Sequence, residues 1–297
     1  MALFRIQIKL KSPLVTPLKG DTIWGHVAWG IANHEGDDAV ARFIADCKEN
    51  HAFVISSAFP KGSVCKAIPD VPERIENLSP EDYAKIKQAK KKRYESANAY
   101  FDISEPVQKT EEKSPFKSNT VTHNTISRIT NSVVDGGLYS IDELWTDKEH
   151  SDFDIYVLSS YSAERVKQLC EWAFENGYGA DSSTGKGEIE VGKNVTEVKP
   201  KLHGNKYVAL APFVVPDMDE NEIEKLKLKA DIFVRSGKIG GSFVSSLSPY
   251  KKTVVLYEEG AVFESNEPIE FIGELLTNVH ADSHIVQSAF APVIPIC

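Results

Sequence analysis

The chain has 297 residues, of which 41% are hydrophobic and 26% charged, and this composition is ordinary for a globular protein with room for two domains. Its formal net charge of -9 argues against a nucleic-acid binder that relies on a broadly basic surface, because such binding depends on neutralising phosphates. Any nucleic-acid site must therefore be local. The four cysteines are scattered, and the sequence contains neither a basic leader with an apolar run nor an apolar stretch of membrane-spanning length. We therefore expect a cytoplasmic protein in a reducing compartment, without membrane association.

The N-terminal segment predicts a strand, two helices and a second strand. Residues 3–11 alternate apolar and polar side chains, which is typical of a half-buried strand. Asp21 is predicted to cap the helix that follows, in which apolar residues recur at helical spacing from Ile23 to Ile31. A second helix is predicted at about 37–49 and a strand at 53–57.

The composition then shifts toward Pro, Lys, Glu, Ser and Asn at about 59–150, which predicts a long insertion. One charged helix is predicted inside it, at about 79–97. Regular alternation resumes at Phe153 and predicts a strand. A helix at 162–176 follows, with Ser162 as its predicted N-cap.

A glycine loop with the sequence Gly-Ala-Asp-Ser-Ser-Thr-Gly-Lys-Gly, residues 179–187, joins this helix to a strand that begins near Ile189. Gly185 and Gly187 allow backbone amides to approach a phosphate chain, while Lys186 and the neighbouring hydroxyl groups supply charge and donors. The order helix, loop, strand is the reverse of a nucleotide-binding P-loop, so ATP binding is not expected. The loop predicts a clamp for a polyanion such as RNA, and a plain tight turn is the alternative.

Joined across the insertion, residues 1–200 have the order strand, helix, strand twice, which is the ferredoxin-like pattern. Residues 201–297 are rich in predicted strands. These strands lie at 206–215, 230–236, 252–257 and 285–294, and one short helix lies at 217–229. The predicted fold class is therefore α+β with two domains, 1–200 and 201–297. The glycine loop lies between the second helix and the last strand of the first domain.

Three segments together resemble the RAMP superfamily of CRISPR proteins. They are Pro13 to His26 (PLVTPLKGDTIWGH), Phe53 to Gly62 (FVISSAFPKG) and the glycine loop. Within that superfamily the chain is most similar to the family of the fourth subunit of the type III-A (Csm) interference complex. The similarity extends to 238–244 and 251–257, and to 123–128 inside the insertion, so it covers most of the chain.

This resemblance implies two ferredoxin-like (RRM-like) RAMP domains and a non-catalytic RNA-binding subunit that needs no cofactor. In that family the subunit holds the repeat-derived 5′ tag of the guide RNA (crRNA) within an antiviral ribonucleoprotein. It bridges the large polymerase-like signalling subunit to the repeated backbone RAMP subunit, and it meets target RNA indirectly, through the complex. A subunit whose RNA lies in a shared groove needs one basic cleft, which is compatible with an acidic chain.

The predicted RNA-binding residues come from the matched segments. They are Lys19, Gly20, His26, Lys61, His123, Asn124, Arg128, Ser183, Thr184, Gly185, Lys186, Gly187, Lys238, Gly240, Gly241, Ser242 and Lys251. Structural alternatives exist for several of them: His26 as a buried structural histidine, 123–128 as a solvated loop, and 238–251 as an ordinary hairpin. Trp24 and Trp29 are assigned to the core, and no catalytic residue is predicted.

One enzymatic alternative is a RAMP endoribonuclease that processes CRISPR precursor RNA by metal-independent acid-base catalysis. His26 or His123, together with Lys186, would be its candidate groups. Neither histidine has a partner that local spacing places beside it. The binding subunit is therefore the preferred hypothesis.

A second alternative is a metal-dependent target nuclease, which would need an exposed loop aspartate near the guide. Asp135 is the candidate, although a turn before two glycines explains it better. His280 and His284 have a spacing compatible with metal binding from one helical face, but no third ligand accompanies them. No metal site is predicted.

Overall fold

The computed structural model describes residues 1–69, 79–103, 114–240 and 248–296. These residues form antiparallel sheets and a few helices, so the fold class is α+β. The strands are β1 Ala2–Leu10, β2 Phe53–Ile55, β3 Phe59–Pro60, β4 Ser63–Cys65, β5 Tyr94–Ser96, β6 Lys117–Ile126, β7 Val133–Trp145, β8 Asp152–Ser159, β9 Ile189–Glu197, β10 Lys206–Ala209, β11 Ile232–Arg235, β12 Val254–Tyr257, β13 Val262–Glu264, β14 Phe271–Leu276 and β15 Gln287–Ile296. The α-helices are α1 Gly20–Glu35, α2 Asp37–Asn50, α3 Pro80–Lys91, α4 Ala163–Phe174 and α5 Glu220–Lys225.

The first sheet has the strand order β2-β8-β1-β9, and β3 pairs with β8 as well. β1 is central, so Ile6 lies opposite Ile155 of β8 and Val195 of β9. Helices α1 and α4 pack against each other, α1 contacts β2, and α4 contacts β9. Ser162 caps α4 by accepting a hydrogen bond from the N–H of Arg165, as the sequence predicts.

The other face of this sheet is covered by part of the insertion. Phe101 stacks on Tyr156 of β8 with ring centroids 5.1 Å apart. On the same face Arg5 is buried, with its Nε 3.8 Å from Oδ2 of the buried Asp154. The prediction that β1 is half-buried is therefore wrong for this part of the strand. The alternating pattern cannot show that a segment distant in the sequence, here part of the insertion, covers the polar face of the strand as well.

The insertion at 59–150 contains more regular structure than predicted. Phe59 and Pro60 pair with β8, so the first sheet extends into it. The charged helix α3 ends at Lys91 and not near residue 97, because residues 94–96 form β5, which pairs with β4. The side chains of several lysines in this helix lie outside the described residues.

The β6–β7 hairpin is the largest element that the sequence does not predict. Its register runs from Lys117 opposite Trp145 to Asn124 opposite Leu138, and a bulge follows. Most of its residues are exposed on both faces. A strand without a buried face shows no apolar-polar alternation, which explains why the pattern fails here.

The second sheet has the order β13-β10-β15-β14, and β11 and β12 form a separate two-stranded ribbon. β13 and β14 are absent from the sequence prediction. β13 has three residues, and β14 is interrupted by Gly273, whose φ of +105° and close approach to the Ala289 carbonyl leave no room for a side chain. The short predicted helix at 217–229 is α5, with a capping box at Asp219.

The two sheets share a hydrophobic core. Leu210 and Ile294 of the C-terminal half belong to the same buried cluster as Ile6, and α1 contacts β15 as well as β2. The division at residue 200 into two domains stays a prediction. Among the described helices, none combines the length and apolar character needed to cross a bilayer.

Candidate nucleic-acid interface

The segment between α4 and β9, residues 175–188, is tied to the segment that precedes α1 and to α1 itself. Hydrogen bonds join them from Gly179 N–H to His26 Nε2 (3.1 Å), Ala180 N–H to Thr16 Oγ1 (3.0 Å), Gly187 N–H to Pro13 O (2.8 Å), Glu188 N–H to Ser12 Oγ (2.9 Å) and the Tyr178 hydroxyl to Pro17 O (2.8 Å). Two motifs far apart in the sequence therefore form one continuous surface.

The two glycines of the predicted clamp differ in their surroundings. Both have a left-handed backbone, with φ of +86° at Gly185 and +68° at Gly187. A Cβ at Gly187 would lie 2.0 Å from the carbonyl oxygen of Tyr178, whereas a Cβ at Gly185 would meet nothing within 4 Å. Gly187 is required for close packing of the loop, and Gly185 lies at its exposed tip.

The tip of the loop offers backbone donors to solvent. Ser183, Thr184 and Gly185 are exposed, and a single 3-10 turn spans Ser182–Thr184. Among the described residues, no acceptor is found for the N–H groups of Ser182 and Ser183. Successive amides that follow a left-handed residue, here Asp181, form the kind of concavity that binds anions.

Lys186 is held by the protein itself. Its Nζ lies 2.5 Å from Oε1 of Glu143, a residue whose side chain is 1% exposed, and 5.8 Å from the ring centroid of Trp145. The RNA-binding role of Lys186 stays a prediction, but its ammonium already neutralises a buried carboxylate. The pairing fixes the glycine loop to β7. Glu143 and Trp145, the two partners of Lys186, lie in the insertion, where the sequence shows no regular pattern that would indicate them.

His26 supports the loop from beneath. Its Nε2 accepts the hydrogen bond from Gly179, and its ring lies 4.8 Å from that of Tyr178. Burial lowers the pKa of His26 to about 4, so the ring is neutral at physiological pH and can accept this bond. This geometry gives His26 a structural role in holding the loop, and its contact with RNA stays a prediction.

This environment predicts an acid-sensitive contribution from His26. The pKa of His26 is lower in the folded chain than in the unfolded chain, so the unfolded chain takes up the proton first as the pH falls. The contribution of His26 to the free energy of unfolding is therefore fully present above pH 6.5 and is lost as the pH falls from about 6.5 toward 4. Replacing His26 by Gln keeps an acceptor that does not titrate in this range. Urea unfolding should therefore show the stability of the wild type falling by on the order of 2 kcal/mol more than that of His26→Gln across this window. Parallel pH profiles would contradict the assignment.

Lys19 and Gly20 also make internal contacts. The Lys19 Nζ lies 2.6 Å from Glu258 Oε1 and 2.5 Å from Glu259 Oε1. Burial is the largest single effect and lowers the pKa of Lys19, but the two carboxylates together outweigh it, so the pKa is raised. Gly20 is buried, and its N–H donates to Ser57 Oγ. Their RNA-binding roles stay predictions, but the charge of Lys19 is already paired.

Asp21 does not cap α1, which corrects the sequence prediction. The helix begins at Gly20 with Lys19 at the N-cap position, so Asp21 lies inside the first turn. Its carboxylate accepts hydrogen bonds from Arg235 Nε (2.7 Å) and Nη2 (2.9 Å) and from Gln287 Nε2 (3.1 Å). The side chain that the local pattern assigned to a cap instead joins α1 to the C-terminal half.

The C-terminal candidate group is divided by the structure. Lys238 is exposed, whereas Gly240 packs on Trp29, whose Nε1 would lie 2.7 Å from an added Cβ. Lys251 turns inward and donates from Nζ to Val286 O (2.7 Å) and Gln287 Oε1 (2.9 Å). Burial lowers the pKa of Lys251 to about 8. Gly241 and Ser242 lie outside the described residues.

The remaining RNA-binding candidates lie in the insertion. Lys61 follows β3 and its N–H donates to Asp152 O. His123 and Asn124 lie on β6, not in a loop, and the ring of His123 stacks on Tyr139 of β7 with centroids 5.5 Å apart. Arg128 is exposed in the hairpin turn. The structure thus keeps 123–128 on the surface but gives it a strand scaffold.

The residues considered for metal-dependent chemistry are dispersed. Asp135 lies in β7 at the bulge and not in a turn. His280 and His284 lie in a non-helical segment, where each hydrogen-bonds to Asp282. Within the described ranges, no group of three or more His, Cys, Asp or Glu side chains is placed to hold a metal ion.

No protein-family model matches the chain, and a search of curated proteins finds no significant match. Its fold, however, matches solved structures along nearly its whole length. A chain of the Csm1-Csm4 cassette in complex with pppApA has a TM-score of 0.58 and 15% identity, covering 99% of this chain and 97% of that one. A chain of the same cassette in complex with AMPPNP has a TM-score of 0.59 and 14% identity, covering 100% and 98%.

A chain of the Csm3-Csm4 subcomplex, from the type III-A CRISPR-Cas interference complex, gives a TM-score of 0.56 and 11% identity, and all of both chains is covered. At identities this low, the TM-scores show a shared fold, and at the level of the fold they agree with the resemblance drawn from the sequence motifs.

Proposed function

We propose that this chain is a non-catalytic, Csm4-like subunit of a type III-A CRISPR effector complex and binds the repeat-derived 5′ tag of the crRNA. The observation that carries this proposal is the end-to-end fold match to chains of the Csm1-Csm4 and Csm3-Csm4 assemblies. A match that leaves neither chain with a large unmatched part favours an equivalent subunit over a shared domain.

The topology of the first sheet supports a ferredoxin-like RAMP domain. In the first sheet the order β2-β8-β1-β9 places the last strand beside the first, and α1 and α4 follow β1 and β8. This is the arrangement of the ferredoxin-like βαββαβ unit. We assign residues 1–200 to that unit with its insertion, and the strand-rich remainder to a second RAMP-like domain.

The exposed tip of the glycine loop supports the RNA site. Backbone amides near Ser182 and Ser183 would contact phosphates without adding positive charge, which suits a chain with a net charge of -9. Such contacts position a strand without reading its bases. The site is therefore local, on the face formed by the loop and the segment before α1.

Exposed apolar surfaces support contacts with two protein neighbours, for which we propose the large polymerase-like subunit and the backbone subunit. On the β11–β12 ribbon, Ile232 is 67% exposed, and Val234 and Val255 are similarly accessible. On the β6–β7 hairpin, Ile129 is 96% and Leu138 69% exposed. Aliphatic clusters of this kind mark interaction surfaces.

The proposal is tested by reconstituting the complex from its subunits and a CRISPR array, with and without this chain, and purifying it through the backbone subunit. Without the chain we expect the large subunit to be lost and the guide 5′ ends to become ragged, while the rest of the guide remains bound. Intact tags and a retained large subunit would contradict the proposal.

Metal-independent processing of precursor RNA remains the competing function. The neutral, partly buried His26 is poorly suited to acid-base catalysis near pH 7, because desolvation lowers its pKa to about 4. His123 is the remaining candidate. Cleavage of repeat RNA by the purified chain in chelator, abolished by His123→Ala, would favour the nuclease.

A further inference from the structure

A cleft of about 330 Å³ lies directly beside the glycine loop. The end of β1 and the segment Lys11–Pro13 form one wall, and Trp145 with Thr146–Lys148 forms the other. Ser12 and Pro13 in the first wall also accept the loop hydrogen bonds from Glu188 and Gly187. The cleft therefore borders the base of the glycine loop, and its volume is at the lower end of ligand sites, roughly 300–1,000 Å³.

Trp145 presents a fixed aromatic surface to this cleft. It is 43% exposed, an unusual exposure for a tryptophan, although its indole N–H donates to Glu143 Oε2 at 2.9 Å. The Lys186 ammonium lies 5.8 Å from the ring centroid and pairs with the same carboxylate. The ring is thus held in one orientation by a buried ion pair, and no part of the RNA site derived above uses it.

The lining of the cleft is basic, in contrast to the whole chain. Among the described residues, Lys9, Lys11 and Lys148 line it, together with one acidic residue, Asp147. Lys11 is paired with Glu190 at 2.5 Å. The Lys9 Nζ is 3.9 Å from Asp152, and these two side chains are 47% and 43% exposed. Exposed ion pairs contribute little, so a phosphate can readily replace Asp152 beside Lys9.

An aromatic ring flanked by ammonium groups suits one ligand chemistry in particular, a base that stacks while its phosphate is neutralised. An acidic peptide would use the lysines and leave the ring unused. A base within a duplex is already stacked on its neighbours. We infer that this cleft binds one unstacked nucleotide of single-stranded RNA, with the base on Trp145 and the phosphate near Lys9 and Lys148. This inference rests on the proposed function and extends its RNA track by one nucleotide.

The test measures binding of the full-length chain to a fluorescein-labelled single-stranded RNA by anisotropy over a range of salt concentrations. Trp145→Ala should weaken binding about 5- to 100-fold, because stacking on an aromatic ring is lost. Trp145→Phe, which keeps a ring, should lose less. Lys148→Ala should reduce the slope of log affinity against log salt by about 0.7, as expected for one phosphate of a single strand.

Lys227→Ala is the matched control, since Lys227 is an exposed lysine paired with Glu264 in the other half of the chain. It should change neither affinity nor slope. RNA should also quench tryptophan fluorescence in the wild type, and this quenching should be reduced in Trp145→Phe. Trp172→Phe is the control for the loss of a tryptophan elsewhere, because that ring stacks on His34.

If Trp145→Ala, Trp145→Phe and Lys148→Ala all bound the RNA with the affinity and the salt-dependence slope of the wild type, the inference would be overturned and the proposed function would stand. Quenching by AMP at the same concentrations as by RNA would identify a mononucleotide site and overturn the assignment to a strand. Failure of the wild-type chain and of its reconstituted complex to bind any RNA would overturn both proposals.

Discussion

Gly187→Ala is expected to destabilise the protein by about 2–4 kcal/mol, because a left-handed backbone and a steric overlap act at the same position. The φ of Gly187 is +68°, and an added Cβ would lie 2.0 Å from the backbone carbonyl oxygen of Tyr178. Tyr178 cannot easily move, since it is fully buried and its hydroxyl donates to Pro17 O. Chemical unfolding of the purified chain measures the loss.

Gly185→Ala is the matched control for this substitution. Its φ is +86°, but a Cβ there would meet nothing within 4 Å, so the backbone conformation alone should cost about 1 kcal/mol. Both substitutions change the same loop by one methyl group. Equal losses would show that the packing of Gly187 against Tyr178 does not hold the loop in place.

Arg235→Met is expected to destabilise the protein by about 3–5 kcal/mol, because it leaves the carboxylate of Asp21 buried without its principal cation. The Asp21 side chain is 1% exposed, and both nitrogen contacts from Arg235 are shorter than 3 Å. Within the described residues, the Gln287 amide at 3.1 Å and the Thr22 hydroxyl at 3.5 Å would remain as hydrogen-bond donors to this carboxylate, and neither carries a charge. The pair joins α1 to the β11–β12 ribbon, so its loss should loosen the ribbon first.

The double variant Asp21→Leu/Arg235→Met removes both charges and should be more stable than Arg235→Met alone, which a double-mutant cycle would measure. Lys227→Met provides the comparison for an exposed pair. Lys227 is 65% exposed beside Glu264, and its removal should change the free energy of unfolding by less than about 1 kcal/mol. Losses of similar size in Arg235→Met and Lys227→Met would contradict the account of a buried, structural pair.

The elements with a strong local pattern could be predicted from the sequence. α4 is an example, since Ser162 supplies the cap and Val166 to Phe174 supply an apolar face at helical spacing. The β6–β7 hairpin could not be predicted, because strands exposed on both faces leave no periodic signal. β14 was missed for a different reason, since Gly273 and Glu274 interrupt its apolar run.

The sequence singles out the glycine loop and the segment before α1, and in the structure hydrogen bonds join these two segments. Sequence pattern could not reveal which cations are free, because ion-pair partners are distant along the chain. Lys19 lies 239 residues from Glu258, and Arg235 lies 214 residues from Asp21. Trp145 was overlooked because it lies in the segment with the weakest pattern.

Assembly of this chain into a type III-A effector complex is tested by affinity purification of the tagged chain from its native host, with sequencing of the bound RNA and mass spectrometry of its partners. We expect short RNAs that share one repeat-derived 5′ tag, together with a large polymerase-like subunit and a repeated backbone subunit. Recovery of the chain alone, or with unprocessed repeat transcripts only, would contradict it.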